Sequence, residues 1–263
     1  MAQSKLLNRF LNPLLISLLL SISASFPVFA VELAKIQDRG QLIVAIKDNT
    51  RPLGFIDEEG KLAGLEIDLA RRLAKDLLGD ENALVLKPVL NQERLHQVIN
   101  EQVDIAIARV SDTDARRRIV DLSPYYYLDG TGLITKDVTV ANAEGLKDAE
   151  IAVLFGSSTI AVVRDRLPNA NLVGVSSYQE ALELLESNQV KAFAADKTVL
   201  AGWTQEYPQY KLLPERLSGS PLCIAMPKGL QHKELHLAVD KAVLNWRKSG
   251  WLQERIKYWG LDQ

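Results

Sequence analysis

Four sets of polar residues fall just past short apolar runs. Lys47 and Asp48 follow LIVAI, Arg109 and Ser111 follow VDIAIA, Gly156-Ser157-Ser158-Thr159 follow IAVLF, and Asp196 follows KAFAA. The apolar runs are rich in small and β-branched residues and predict buried strands. In open parallel sheets a ligand binds at the carboxyl ends of the strands. Arg109 and Ser111 would bring a cation and a hydroxyl to such an end. The Gly-Ser-Ser-Thr turn opens a predicted helix, whose free N–H groups and dipole favour an anion. Asp196 adds one carboxylate. Two anion-binding corners and one carboxylate complement a zwitterion that carries a carboxylate and an ammonium. Each signal also has an ordinary reading: Lys47 and Asp48 as loop charges, the glycine-serine turn as a helix cap.

The stretch ARVSDTDARRRIVDLSPYYYLDG, residues 108–130, concentrates the charge. Arg116, Arg117 and Arg118 form a run, and such runs are usually solvated helix faces. That reading is kept for Arg117 and Arg118. The three tyrosines, Tyr125 to Tyr127, are expected in the core. His232 and His236 are four apart on a predicted helix, but a zinc site normally draws on three or four protein ligands, so a surface helix is expected. Cys223 is the single cysteine, which leaves no internal disulfide and no cysteine-rich metal site. No cofactor and no metal are expected.

The elements that must position these groups alternate. LIVAIK predicts a strand, and a turn-rich segment with a hairpin signal at Glu59-Gly60 follows. LEIDLARRLAKDLLG carries leucines at 65, 69, 73 and 77 and stops at Gly79, the pattern of an amphipathic helix. ALVLKPV, QERLHQVINEQ and VDIAIA continue as strand, helix and strand. A second unit begins at the strand GLITK. It runs through LKDAEIAVLFGSSTIAVVRDRL and a helix opened by Ser177 and Glu180 at capping-box spacing, then reaches KAFAAD. Two amphipathic helices broken at Ser249-Gly250 end the chain. The alternation predicts an α/β fold with helices on the faces of a sheet.

The 263 residues suffice for one large or two medium domains, and 47% hydrophobic with 24% charged residues is ordinary globular composition. A formal charge of −2 gives no reason to expect nucleic acid. Residues 1–30 read as a signal peptide: Lys5 and Arg9 precede the apolar LLISLLLSISA, and Val28 and Ala30 stand at small-residue cleavage positions. The apolar run is shorter than the roughly 20 residues that span a bilayer, although an uncleaved anchor is the alternative. The expected mature protein starts at Val31 and is exported to the periplasm.

The chain resembles the periplasmic substrate-binding proteins of polar amino-acid ABC transporters, including the glutamine-, basic amino-acid- and glutamate/aspartate-binding proteins. VDIAIARVSDTDARRRIVDLSPYY is similar to the family's most specific segment. LIVAIKDNTRPLGF, GLEIDLARRLA, GSSTIAVV, AFAAD and IAMPKG follow in family order. The resemblance implies two α/β lobes, each a mixed sheet flanked by helices, joined by two crossing hinge strands. Residues 31–130 would open lobe one, 131–222 would form lobe two, and 223–263 would return to lobe one.

The resemblance also implies roles. Arg116 matches the arginine that grips a ligand α-carboxylate, Ser111 the hydroxyl beside it, Ser158 and Thr159 the backbone donors of lobe two, and Asp196 the aspartate that takes the α-ammonium. The side-chain pocket departs from the family. Lys47 stands where glutamine and basic-residue binders carry an aspartate, and Thr50 where they carry an aromatic. Arg94 falls where glutamate/aspartate binders hold an arginine, and Arg109 where relatives usually have glycine or serine. Convergence of Lys47, Arg94 and Arg109 would favour an acidic amino acid, unless Arg109 is tied up by Asp48 or Asp112. The implied partners are an amino acid and an inner-membrane ABC permease, with the protein a monomer. An enzyme on the same scaffold, of the arogenate or prephenate dehydratase type, and an exported amino-acid sensor are the alternatives.

Overall fold

The computed structural model of the chain describes residues 31–261, and the expected signal peptide lies outside them. The first part of the chain contains α1 (Val31–Arg39), β1 (Leu42–Ile46), β2 (Asn49–Thr50), β3 (Gly54–Ile56), β4 (Leu62–Ala63), α2 (Leu65–Leu78), β5 (Leu84–Pro88), α3 (Arg94–Ile99), β6 (Ile105–Ser111), α4 (Asp114–Arg117), β7 (Asp121–Leu122) and β8 (Tyr127–Asp129). The middle contains β9 (Thr131–Thr135), β10 (Glu150–Leu154), α5 (Thr159–Arg166), β11 (Asn171–Val175), α6 (Tyr178–Glu186), β12 (Ala192–Asp196), α7 (Lys197–Glu206) and β13 (Lys211–Leu212). The return is β14 (Ser220–Met226), α8 (Lys233–Lys248) and α9 (Trp251–Tyr258).

Two mixed sheets organise the lobes. In lobe one, β5, β1 and β6 are parallel, and β14 runs antiparallel to β6, β7 and β8. In lobe two, β11, β10 and β12 are parallel, and β9 runs antiparallel to β12 and β13. A small antiparallel sheet of β2, β3 and β4 holds the hairpin around Glu59-Gly60. Apolar faces bury as the periodicity predicts. Leu65, Leu69 and Leu73 of α2 pack with Val44, Ile46, Ile105 and Trp246 in lobe one. Ile134, Phe193, Leu200 and Leu185 form part of the core of lobe two. Ser177 accepts from the Glu180 N–H at 3.1 Å, and Glu180 accepts from the Ser176 N–H at 2.6 Å, so a reciprocal cap starts α6.

The chain crosses between sheets at Gly130 and returns at β14. A Cβ on Gly130 would collide with the Ser218 carbonyl, so only glycine lets the two crossings approach this closely. Buried Asp129 ties the crossing to lobe two: its carboxylate accepts from the Thr198 hydroxyl at 2.6 Å and the Thr198 N–H at 3.2 Å.

Three expectations are corrected here. The strand VDIAIA does not stop at Ala108. Pairing of Ser111 and Val110 with Leu222 and Cys223 carries β6 through Arg109 to Ser111, with an irregularity before Ala225. Arg109 takes φ 55° inside this strand. His232 is not on a surface helix: it is buried at the turn before α8, with its ring stacked on His236. Of the three tyrosines, Tyr126 and Tyr127 are core residues, whereas Tyr125 is exposed. The sequence pattern also left α7 unread, although its buried face closes the lobe-two core.

Candidate ligand-binding site

The lobe-one side of the cleft is built from buried ionisable groups. Lys47, one residue past β1, is 4% exposed and donates from Nζ to the Val89 carbonyl at 2.7 Å. Arg94 opens α3 and is 7% exposed. Its Nη1 donates to the carbonyls of Ala108 at 2.6 Å and Arg109 at 3.0 Å. Glu66, in the first turn of α2, is 0% exposed. Its Oε1 accepts from the Arg109 N–H at 2.6 Å and from the Tyr126 hydroxyl, while its Oε2 is buried without a partner.

Arg116 sits in the short helix α4, which Thr113 caps. Its Nη1 donates to the Ser111 carbonyl at 2.7 Å and to the Ser111 hydroxyl. Arg116 and Ser111 therefore share one corner, the pairing that the family resemblance implied. Arg117 pairs instead with Asp112 on the exposed side.

From the other lobe, Ser158 is the N-cap of α5 and exposed, with no side-chain bond to the helix. Thr159 is buried and its N–H donates to the Ser157 hydroxyl at 3.1 Å. Asp196 ends β12 and precedes α7, but its carboxylate does not cap that helix. It forms an ion pair with the Arg109 guanidinium across the cleft. Neither Asp48 nor Asp112 holds Arg109, which was the alternative drawn from sequence.

Electrostatically the cleft is strained toward neutral forms. Burial pulls the Lys47 ammonium below its ordinary range, against the opposing charge of Asp48 and with that of Arg94, and burial and then the Arg116 charge lower Arg94 to about 10. Burial and then the Arg109 charge lower Arg116. Burial raises Glu66, although bonds from Tyr126 and the Arg109 N–H oppose the shift. Lys47, Arg94, Arg109 and Arg116 thus share one local field with the carboxylates of Asp48 and Glu66.

A cavity of about 230 Å³ opens between the lobes beside the Arg109–Asp196 pair. Asn49, Thr50 and Arg109 line one side, and Tyr178, Gly202 and Trp203 the other. The lobes are in close contact here: a Cβ on Gly202 would lie 2.7 Å from the Arg51 carbonyl. Neither Arg116 nor Ser158 lines this cavity, so the carboxylate corner and the open space are displaced from each other.

Glu66 was not singled out from sequence. A carboxylate in the first turn of a helix reads as a favourable dipole partner, and only the packing of α2 under β6 turns it into a buried group beneath Arg109. Tyr178 and Trp203 were missed as cleft residues for the same reason. Among the described residues, no group of three or more His, Cys, Asp or Glu side chains is placed to hold a metal, and no helix is long and apolar enough to cross a membrane.

Two α/β lobes joined by crossing strands, with polar groups facing one another across a cleft, define the two-lobed architecture of a solute-binding protein. The chain belongs to the bacterial extracellular solute-binding proteins, family 3, whose pattern matches residues 42–262. It is 29% identical over 230 residues to the ABC transporter glutamine-binding protein GlnH of Bacillus subtilis (strain 168), covering 86% of this chain and 84% of that protein. It is 33% identical over 199 residues to a glutamine-binding protein of Geobacillus stearothermophilus, covering 74% and 76%. Among solved structures it resembles an ancestral cationic amino acid solute binding protein. The TM-score is 0.75 at 25% identity, covering 87% of this chain and 99% of that one.

Proposed function

We propose that the protein is the periplasmic capture component of an amino-acid ABC transporter and that its ligand is an acidic amino acid. The family and the names of the relatives support the transporter role and the amino-acid class. One observation supports the acidic assignment: on the lobe-one side of the cleft the four cations Lys47, Arg94, Arg109 and Arg116 outnumber the carboxylates of Asp48 and Glu66 that share their field. A basic ligand would add like charge to a poorly screened space, whereas a second carboxylate is attracted to it.

The mechanism is capture by closure. Arg116 and Ser111 take the α-carboxylate, since guanidinium–carboxylate bonds are charge-assisted and directional. The amides at Ser158 and Thr159 complete that grip from lobe two, and Asp196 takes the α-ammonium. Contacts from the second lobe favour the closed population, and the closed form is what a membrane permease would receive. Lys47 and Arg94 are held by bonds to the Val89, Ala108 and Arg109 carbonyls and add their charge to the cleft from there. This is a binding role rather than a catalytic one.

Thermal unfolding of the protein from Val31 onward, against the common amino acids, tests the proposal. Ligand at about 1,000 times its dissociation constant stabilises the native state by roughly 4 kcal/mol. Stabilisation by glutamate or aspartate is expected. Stabilisation by glutamine or arginine alone would keep capture by closure and overturn the acidic assignment. Turnover of arogenate or prephenate by the pure protein would overturn the binding role.

A further inference from the structure

Arg109 is held in a way that its side-chain bonds alone do not explain. Among the described residues, three non-glycine residues have positive φ: Glu101, Arg109 and Asn188. Glu101 and Asn188 lie in exposed turns, but Arg109 lies inside strand β6. Glycine would meet this conformation without steric cost, and a left-handed residue persists where its surroundings over-determine it. Here two buried ionisable side chains do so. Arg94 bonds the Ala108 and Arg109 carbonyls, and Glu66 accepts the Arg109 N–H. The product of this clamp is the direction of one guanidinium, which reaches across to Asp196. Asp196 is otherwise unspent on its own helix.

Resting on the acidic-amino-acid reading above, we propose that Arg109 is the specificity-determining residue of the cleft and works by exchange of partners. Arg109 and Asp196 satisfy each other across the lobes, so an entering amino acid must divide them. Its ammonium takes Asp196, and Arg109 is then left to find another anion. Glutamate or aspartate supplies one in its side chain, and two ion pairs replace one. Glutamine satisfies Asp196 and strands the arginine. Lysine strands it beside a further cation, and an unpaired charge in a partly desolvated site is costly. The same clamp that fixes Arg109 thus makes the second carboxylate a condition of tight binding.

The test compares L-glutamate with L-glutamine, which differ by one charge at nearly equal size, on the wild type and Arg109→Gly by titration calorimetry. Glycine suits the positive φ, so the variant is expected to fold, and its melting curve checks this. The wild type is expected to prefer glutamate by at least about tenfold, the scale of one charge-assisted bond. In Arg109→Gly, glutamate should weaken by about tenfold and glutamine should tighten, because Asp196 is no longer contested. Unchanged or weaker glutamine binding in the variant would overturn the exchange. If the wild type prefers glutamine, the acidic reading fails, yet tighter glutamine binding in Arg109→Gly still upholds competition for Asp196. If neither ligand binds the wild type, small-angle scattering without amino acid decides. Larger dimensions for both Arg109→Gly and Asp196→Asn than for wild type uphold the cross-cleft pair, and equal dimensions overturn it.

Discussion

The two walls of the cleft are made by different means. Lobe one presents Lys47, Arg94, Arg116 and Glu66, most of them deeply buried and each bonded to nearby backbone or hydroxyl groups. Lobe two presents the start of α5 at Ser158 and Thr159 and a single carboxylate, Asp196. One wall is a charged surface bonded to the strand β6 and to the segment at Val89. The other offers neutral amides and one anion that its own helix leaves unspent. Under the proposed binding role the contrast implies a division of labour: lobe one would supply the long-range attraction, and lobe two the contacts that favour closure. Arg109, anchored in lobe one and paired in lobe two, is where the walls meet.

Three substitutions probe the contrast, and the largest effect belongs to lobe one. Arg116→Ala removes a guanidinium with charge-assisted bonds worth about 1.5–3 kcal/mol each, so affinity should fall by at least roughly a hundredfold. Titration calorimetry reads this directly, and an affinity within threefold of wild type would break the assignment of the carboxylate corner.

On lobe two, Ser158 has φ −62°, which proline adopts without strain, and its hydroxyl makes no capping bond. Ser158→Pro therefore deletes one amide donor with little cost to the fold, and a loss of about tenfold in affinity is expected. If this variant lost as much as Arg116→Ala, the unequal division between the walls would be wrong.

The smallest effect concerns the cost of the lobe-one wall itself. Burial raises the Glu66 pKa above its ordinary value, so the folded protein holds that proton more tightly than the unfolded chain. The associated stability is present below the ordinary carboxylate range and is lost as pH rises through the raised value. Glu66→Gln keeps an oxygen for the Arg109 N–H and the Tyr126 hydroxyl but has no such dependence. The stability of the variant relative to wild type should therefore increase from about pH 4 to about pH 8. Urea midpoints at the two values measure it, and a pH-independent difference would show that the buried carboxylate is not the source.

Much of the scaffold was readable from local pattern because local physics sets it. Alternating apolar strands, the leucine stripe of α2 with its glycine stop, and the Ser177–Glu180 cap depend on neighbours within a few residues. Ser111 and Arg116 are five apart and bridged by a Thr113-capped turn, so their contact is local, but only the family resemblance singled out Arg116 from its run of arginines. Strand-end reasoning marked the Gly156–Thr159 turn as an anion site and Asp196 as a carboxylate, and the family resemblance then implied which group of a ligand each would take.

What a residue's charge is used for was not readable, because it depends on groups far away in sequence. Arg94 and Lys47 carry the expected charges, but which carbonyls they serve follows from how α3 and β1 pack against β6 and the segment at Val89. Glu66 lies 43 residues from Arg109 in sequence and meets it only once α2 covers the sheet. The Arg109–Asp196 pair exists only because the chain crosses between sheets at Gly130 and brings the ends of β6 and β12 face to face. Composition and spacing set which side chains stand at the strand ends. The docking of the two lobes sets which of them neutralise one another, because an ion pair forms by distance in space and not in sequence.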